Sequence, residues 1–182
     1  RQHGLLTTAR DSGELLLSVI NDILDFSKME AEKFRLQHRC FAVPDVVAST
    51  VNLLHNQAEQ KGLQLRLDLD DDLPRYAWGD PDRLRQVILN LVGNAVKFTP
   101  AGRVVVRATA TASTDGRRME FRCDVEDTGI GIPLEQQATL FEEFTMAEQG
   151  HARTHGGTGL GLAISKRLVE LMGGTIAVRS TP

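Results

Sequence analysis

Hydrophobic positions open the chain with a recurring three-and-four spacing. Leu5, Ala9, Ser12, Leu16, Val19, Ile23 and Phe26 form a heptad-like seam, and Leu15, Ile20 and Leu24 widen it. The pattern predicts one helix over residues 5–31. Gly13 is its weak point, costing about 1 kcal/mol relative to Ala. So wide a stripe needs a cover, either the rest of its own chain or a helical bundle. A separate pattern of alternating elements follows, which favours a bundle formed between two chains.

The period then changes. Residues 44–60 read as a second helix, with Pro44 and Asp45 in the first turn and Gly62 as the stop. Leu63, Leu65, Leu67 and Leu69 alternate with Gln64, Arg66 and Asp68, the signature of a half-buried strand. Asp80-Pro81 predicts a third helix to residue 98, with Asp80 as N-cap and Pro81 as first helical residue. Strands are expected over 103–111 and 119–126 around a turn at Asp115-Gly116, and a helix over 134–141. A glycine-rich loop leads to a helix over 160–172, ended by Gly173-Gly174, and a last strand is expected over 175–179. Helices and antiparallel strands segregate, so the fold class is α+β, a two-layer sandwich.

Composition narrows the function classes. The chain has 182 residues, 41% hydrophobic and 25% charged, which excludes disorder. A net charge of −3 gives no general reason to bind nucleic acid. No apolar run reaches the roughly 18 residues of a membrane span, and no secretory signal opens the sequence, so a cytoplasmic setting is expected. Cys40 and Cys123 lie in no metal-ligand spacing and read as reduced thiols.

Candidate chemistry begins on the third helix. At about 100° per residue, Asn90, Asn94 and Lys97 share one face, with Arg83 and Gln86 within about 40° of the same line. Leu84, Ile88, Leu91, Ala95 and Phe98 form a separate apolar stripe. Two amides one turn apart offer neutral oxygens to a hard cation, and Lys97 offers a positive charge to phosphate. The plain alternative is a solvated polar face.

Two glycine boxes follow. Asp127-Thr128-Gly129-Ile130-Gly131-Ile132-Pro133 leaves a strand directly, where Asp127 can accept a hydrogen bond from an exocyclic amine such as adenine's, or simply cap its own turn. Gly156-Gly157-Thr158-Gly159-Leu160-Gly161-Leu162 opens a helix, whose exposed N–H groups suit a triphosphate. Between them, residues 142–155 read as a covering lid or a plain surface loop, with Arg153, and His151 or His155, able to meet a terminal phosphate. Neither a P-loop nor a dinucleotide fingerprint occurs, since Leu162 stands where the latter needs glycine.

The ordered set resembles the sensor histidine kinases. Asn90-Leu-Val-Gly-Asn94-Ala-Val-Lys97-Phe-Thr resembles their N box, Asp127-Thr-Gly-Ile-Gly-Ile the G1 box, Phe141-Glu-Glu-Phe144 the F box, and Gly157-Thr-Gly-Leu-Gly-Leu the G2 box. Residues 17–31 look like the second dimerisation helix of hybrid-type members. The resemblance implies a Bergerat-type ATP-binding fold with a mixed sheet over residues 34–182, after a bundle helix over 1–33. It implies ATP and Mg2+ as cofactors. Asn94 would ligate the metal, with Asn90 and Lys97 assisting at metal and phosphates and Arg153 beside them. Asp127 would hold the adenine amine, with Gly129, Gly131 and Ile132 in the same box. Phe144 would anchor the lid, and Gly157, Thr158, Gly159, Leu160 and Gly161 would wrap the triphosphate. The implied partners are a phosphoacceptor helix, a receiver domain and a second copy through residues 5–31; family members are often membrane-anchored.

Glu143, Met146 and His155 depart from the family's usual residues in the lid. No acceptor-histidine segment is present, and the family's further C-terminal strand is missing, so the resemblance reads the chain as a piece of a longer kinase that does not label itself. Two other classes compete. A hydrolase of the same fold would place Glu at position 90, where Asn cannot act as a general base. A degenerate kinase would regulate a partner through residues 5–31.

Overall fold

The computed structural model describes residues 34–112, 119–142 and 159–182, and within 13–29 the positions Gly13, Leu16, Leu17, Ile20, Asn21, Ile23, Leu24, Asp25, Ser27, Lys28 and Met29. Those eleven positions are helical. The rest of the expected 5–31 helix, the 115–116 turn and most of the expected lid lie outside the described residues.

Chain order is β1 (Arg39–Ala42), α1 (Val43–Leu53), α2 (His55–Gln60), β2 (Gln64–Leu69), β3 (Tyr76–Gly79), α3 (Pro81–Phe98), β4 (Arg103–Ala112), β5 (Met119–Asp127), α4 (Leu134–Gln137) and α5 (Gly161–Leu171). The main sheet runs β2-β4-β5. β2 pairs parallel to β4, from Gln64 opposite Arg103 to Leu69 opposite Ala108. β4 pairs antiparallel to β5, from Val104 opposite Asp127 to Ala112 opposite Met119. The sheet is therefore mixed, and α3 lies in the crossover that the parallel pair requires.

One face of the sheet makes the core. Val104, Val106 and Ala108 alternate inward and are fully buried against Val43, Val47 and Val51 of α1 and Ile88, Val92 and Val96 of α3. The other face carries a lattice of ion pairs, with Arg107 between Asp68 at 3.8 Å and Glu126 at 2.8 Å. Such exposed pairs add little stability one by one.

The start of α3 follows the local sequence. Asp80 Oδ1 accepts the N–H groups of Asp82 and Arg83, and Pro81 occupies the first turn, where its missing N–H costs nothing. Asp80 Oδ2 takes the Gln37 N–H at 2.8 Å, so one buried carboxylate also ties down the strand-leading segment. At the other end, Lys61 Nζ donates to the carbonyls of Val96 and Lys97 at 2.7 and 2.8 Å, placing a cation on the negative end of the helix dipole.

Several expectations need correction. The 44–60 helix divides at Leu54, whose N–H bonds back only three residues to Val51 while its side chain enters the core. The expected 134–141 helix stops at Gln137, giving way to turns. Residues 175–179 form no strand: they join no ladder, and Ser180 is held by polar bonds instead. β1 and β3, a short antiparallel pair with Cys40 opposite Trp78, were not expected, since four residues each carry too little alternation to read. The apolar side of α3 is broader than one stripe. Ile88, Val92, Ala95 and Val96 face the sheet, and Val87 and Leu91 face α5, while Phe98 is partly exposed.

A second, smaller apolar cluster joins Val87 to Leu160, Ile164 and Leu168, and Met29 from the N-terminal helical segment is buried in it. Beside Met29, Asp25 accepts from Arg83 Nη1 at 2.7 Å and Gln86 Nε2 at 3.2 Å, and the Arg83 guanidinium stacks 4.8 Å over Phe34. Arg83 and Gln86 thus hold the N-terminal segment rather than extending the amide face of α3. Farther up the same segment, Leu16 and Leu17 are about 60% exposed, at 60% and 62%. Among the described residues, no helix is long and apolar enough to cross a membrane.

Candidate functional site

The amide face of α3 sits between two sheltered faces. Asn90 and Asn94 are half-buried, one turn apart, with Asn94 Nδ2 donating to Asn90 Oδ1 across 3.5 Å. Asn90 Nδ2 donates in turn to Ser165 Oγ of α5 at 2.9 Å. The first residue of α5, Gly161, lies directly over the same amide. A Cβ there would come within 2.6 Å of Asn90 Oδ1, so a larger residue would push this amide aside. The start of α5 is thereby set beside the two amides.

The Asp127 turn closes onto the C-terminal end of the same helix. Ile130 N donates to Phe98 O at 3.3 Å, and a Cβ at Gly129 would come within 2.6 Å of that carbonyl. Asp127 Oδ1 accepts the Gly129 N–H at 2.8 Å, the turn-capping arrangement open to an Asp at such a bend. Its other oxygen makes no bond among the described residues, and the side chain is exposed. Gly131 takes a positive φ of 70° with its Cα against Thr181 and Pro182. Ile132 N donates to Ser180 Oγ at 2.9 Å, so Ile132 braces the loop through its backbone.

Lys97 stands one turn beyond Asn94, its ammonium 4.9 Å over the Phe98 ring. Burial pushes the Lys97 ammonium below its usual range. Lys97 also borders a groove shared with Gln57, Gln60, Lys61 and Gly93. Leu160 is buried in the second apolar cluster, so its side chain serves packing, and only its backbone can face a ligand. Gly159 takes φ 70°, which turns the chain into α5. Arg153, Phe144, Gly157 and Thr158, with His151 and His155, lie outside the described residues.

The structure thus brings Asn90, Asn94, Gly161 and Ser165 together at mid-helix, and Lys97, Phe98, Asp127 and Gly129 at the helix end. Ser165 escaped the sequence reading, although its position four residues after Gly161 puts both on one face of α5. Among the described residues, no three His, Cys, Asp or Glu side chains cluster as a ready-made cation cage. A divalent ion here must draw on amide oxygen and on ligand phosphate. The donor set fits that, because Asn94 spends its Nδ2 on Asn90 and keeps a neutral hard oxygen to offer.

Comparisons with known proteins identify the family. Residues 79–182 match the family described as histidine kinase-, DNA gyrase B- and HSP90-like ATPase. The signal transduction histidine-protein kinase BarA of Escherichia coli (strain K12) is 43% identical across 100% of this chain, which covers 20% of BarA. The sensor protein GacS of Pseudomonas syringae pv. syringae is 46% identical across 100% of the chain, again 20% of the longer protein. The chain therefore spans about a fifth of the length of these relatives. Among solved structures, full-length ShkA in complex with AMPPNP superposes with a TM-score of 0.76 at 34% identity, over 98% of this chain and 37% of ShkA. The chain belongs to the histidine kinase-, DNA gyrase B- and HSP90-like ATPases and carries the ATP-binding catalytic domain of a histidine kinase.

Proposed function

We propose that this chain binds Mg-ATP and transfers the γ-phosphoryl group to a histidine on a dimerisation hairpin, as the catalytic module of a hybrid sensor kinase. Residues 34–182 would form the catalytic domain and residues 1–33 the second hairpin helix. The observation that carries this reading is the meeting of Asn90 and Asn94 with Gly161 at the start of α5. It supplies amide oxygen and helix N–H groups side by side, a combination suited to a polyanion.

In this reading Asp127 accepts the adenine amine, with Gly129, Gly131 and Ile132 shaping the turn. Asn94 holds Mg2+ with help from Asn90, and Lys97 neutralises phosphate. By family likeness, Gly157, Thr158, Gly159, Leu160 and Gly161 contact the phosphates through the backbone and Phe144 anchors the lid, while Arg153, a cation of the lid segment, meets the γ-phosphate. Bound Mg2+ supplies charge neutralisation on the phosphate oxygens. The chain's own residues orient the nucleotide, so that the bond from γ-phosphorus to the bridging oxygen breaks as a histidine ring nitrogen attacks, and ADP leaves. Asn90 offers no general base, which favours transfer over hydrolysis. The acceptor helix, a receiver domain and a second copy of the kinase are the partners this chemistry calls for.

The test is titration of the 182-residue chain with ATP and with GTP, in Mg2+ and in EDTA. Binding of ATP that is tightened by Mg2+, is at least tenfold weaker for GTP, and is lost in Asp127→Ala supports the reading. No binding of either nucleotide at millimolar concentration refutes it.

A further inference from the structure

The amide pair on α3 has a direction. Ser165 Oγ lies 2.9 Å from Asn90 Nδ2 and is buried, 1% exposed, within α5. Asn90 Oδ1 therefore points the other way, toward Asn94 Nδ2 at 3.5 Å and Gly161. An amide has one end that donates and one that accepts, so fixing the first amide fixes the second. If Asn90 were turned over, its Nδ2 would face the Asn94 Nδ2, and Asn94 would have to turn its own oxygen inward to pair with it.

Resting on the Mg-ATP reading above, we infer that Ser165 is a positioning residue: it anchors a relay from Ser165 through Asn90 to Asn94 that holds the Asn94 amide in place beside the cation. Ser165 touches neither nucleotide nor metal. Its hydroxyl holds the Asn90 amide in place, and Asn90 in turn the Asn94 amide, in the way that outer partners of a metal ligand orient it. The relay bridges α3 and α5 and crosses 75 positions of sequence. A side chain at 161 would push the Asn90 amide aside and so disturb the relay.

The inference is tested with Ser165→Ala, Ser165→Cys and Ser165→Thr in the 182-residue chain, using trinitrophenyl-ATP as probe in Mg2+ and in EDTA. Outer-partner loss at metal sites weakens metal affinity by about tenfold or more. Ser165→Ala is expected to weaken binding about tenfold in Mg2+ and less than about twofold in EDTA. Ser165→Thr, which keeps the hydroxyl, is expected to restore most of the Mg2+ effect. Ser165→Cys, of similar size but a weak acceptor, should fall between and provides the readout if the alanine variant does not fold. Equal loss in Mg2+ and EDTA, or no loss in either, overturns the relay while leaving Mg-ATP binding intact. Absence of Mg2+-dependent binding in the unmodified chain overturns the functional reading and the relay with it.

Discussion

Replacing Gly161 by alanine sets two effects against each other, and the structure decides between them. Alanine at a helical position is favoured over glycine by at most about 1 kcal/mol. Here the new methyl would lie 2.6 Å from Asn90 Oδ1 and 3.2 Å from its Cγ, so the amide has to move. Moving it breaks the bond to Ser165 and strands a buried hydroxyl, at about 1–3 kcal/mol. The net loss is about 1 kcal/mol, which lowers Tm by about 2–4 °C for a domain of this size. Gly93→Ala is the matched control. Nothing lies within 4 Å of a Cβ built at Gly93, in the middle of α3, so alanine there should raise Tm by about 2–4 °C. Thermal melts followed by circular dichroism measure both. Gly161→Ala melting at or above the parent temperature would refute the reasoning, because the clash would then not exist.

Two further perturbations follow. Lys97 is a base whose ammonium is disfavoured by burial, so nucleotide affinity should fall with rising pH before the ordinary lysine value of 10.5 is reached, while Lys97→Arg stays flat over that range. The stability of the nucleotide-free chain has the opposite sign: between the lowered native value and 10.5 the unfolded state binds the extra proton, so stability rises with pH there; identical pH curves for parent and Lys97→Arg would contradict both statements. Asp25→Ala removes the shared acceptor of Arg83 and Gln86, and since Arg83 is partly exposed and still stacks on Phe34, the loss should be about 1–2 kcal/mol in urea unfolding, with an unchanged midpoint counting against the pairing.

What could be read in the sequence was local. Asp80-Pro81 announced the start of α3 because cap and first turn are neighbours in sequence, and the alternation of Leu63 to Leu69 announced β2 because a strand repeats every two residues. The N-box amides could be placed on one face by helix geometry alone. What could not be read depended on a distant partner. Ser165 answers Asn90 across 75 positions, and Asp25 answers Arg83 across 58. For the same reason Arg83 and Gln86, correct in angle for the amide face, were drawn off by a carboxylate that periodicity does not register. Residues 175–179 alternate like a strand, yet a strand exists only where a neighbouring backbone pairs with it.

The position of α3 between two apolar clusters has a thermodynamic consequence. The helix that bears Asn90 and Asn94 also carries Val87, whose cluster receives Met29, and Arg83, which receives Asp25. Whatever shifts this shared wall is felt on both sides. Linkage then requires reciprocity: if seating the N-terminal segment alters nucleotide affinity by some factor, occupancy by nucleotide alters the seating by that same factor.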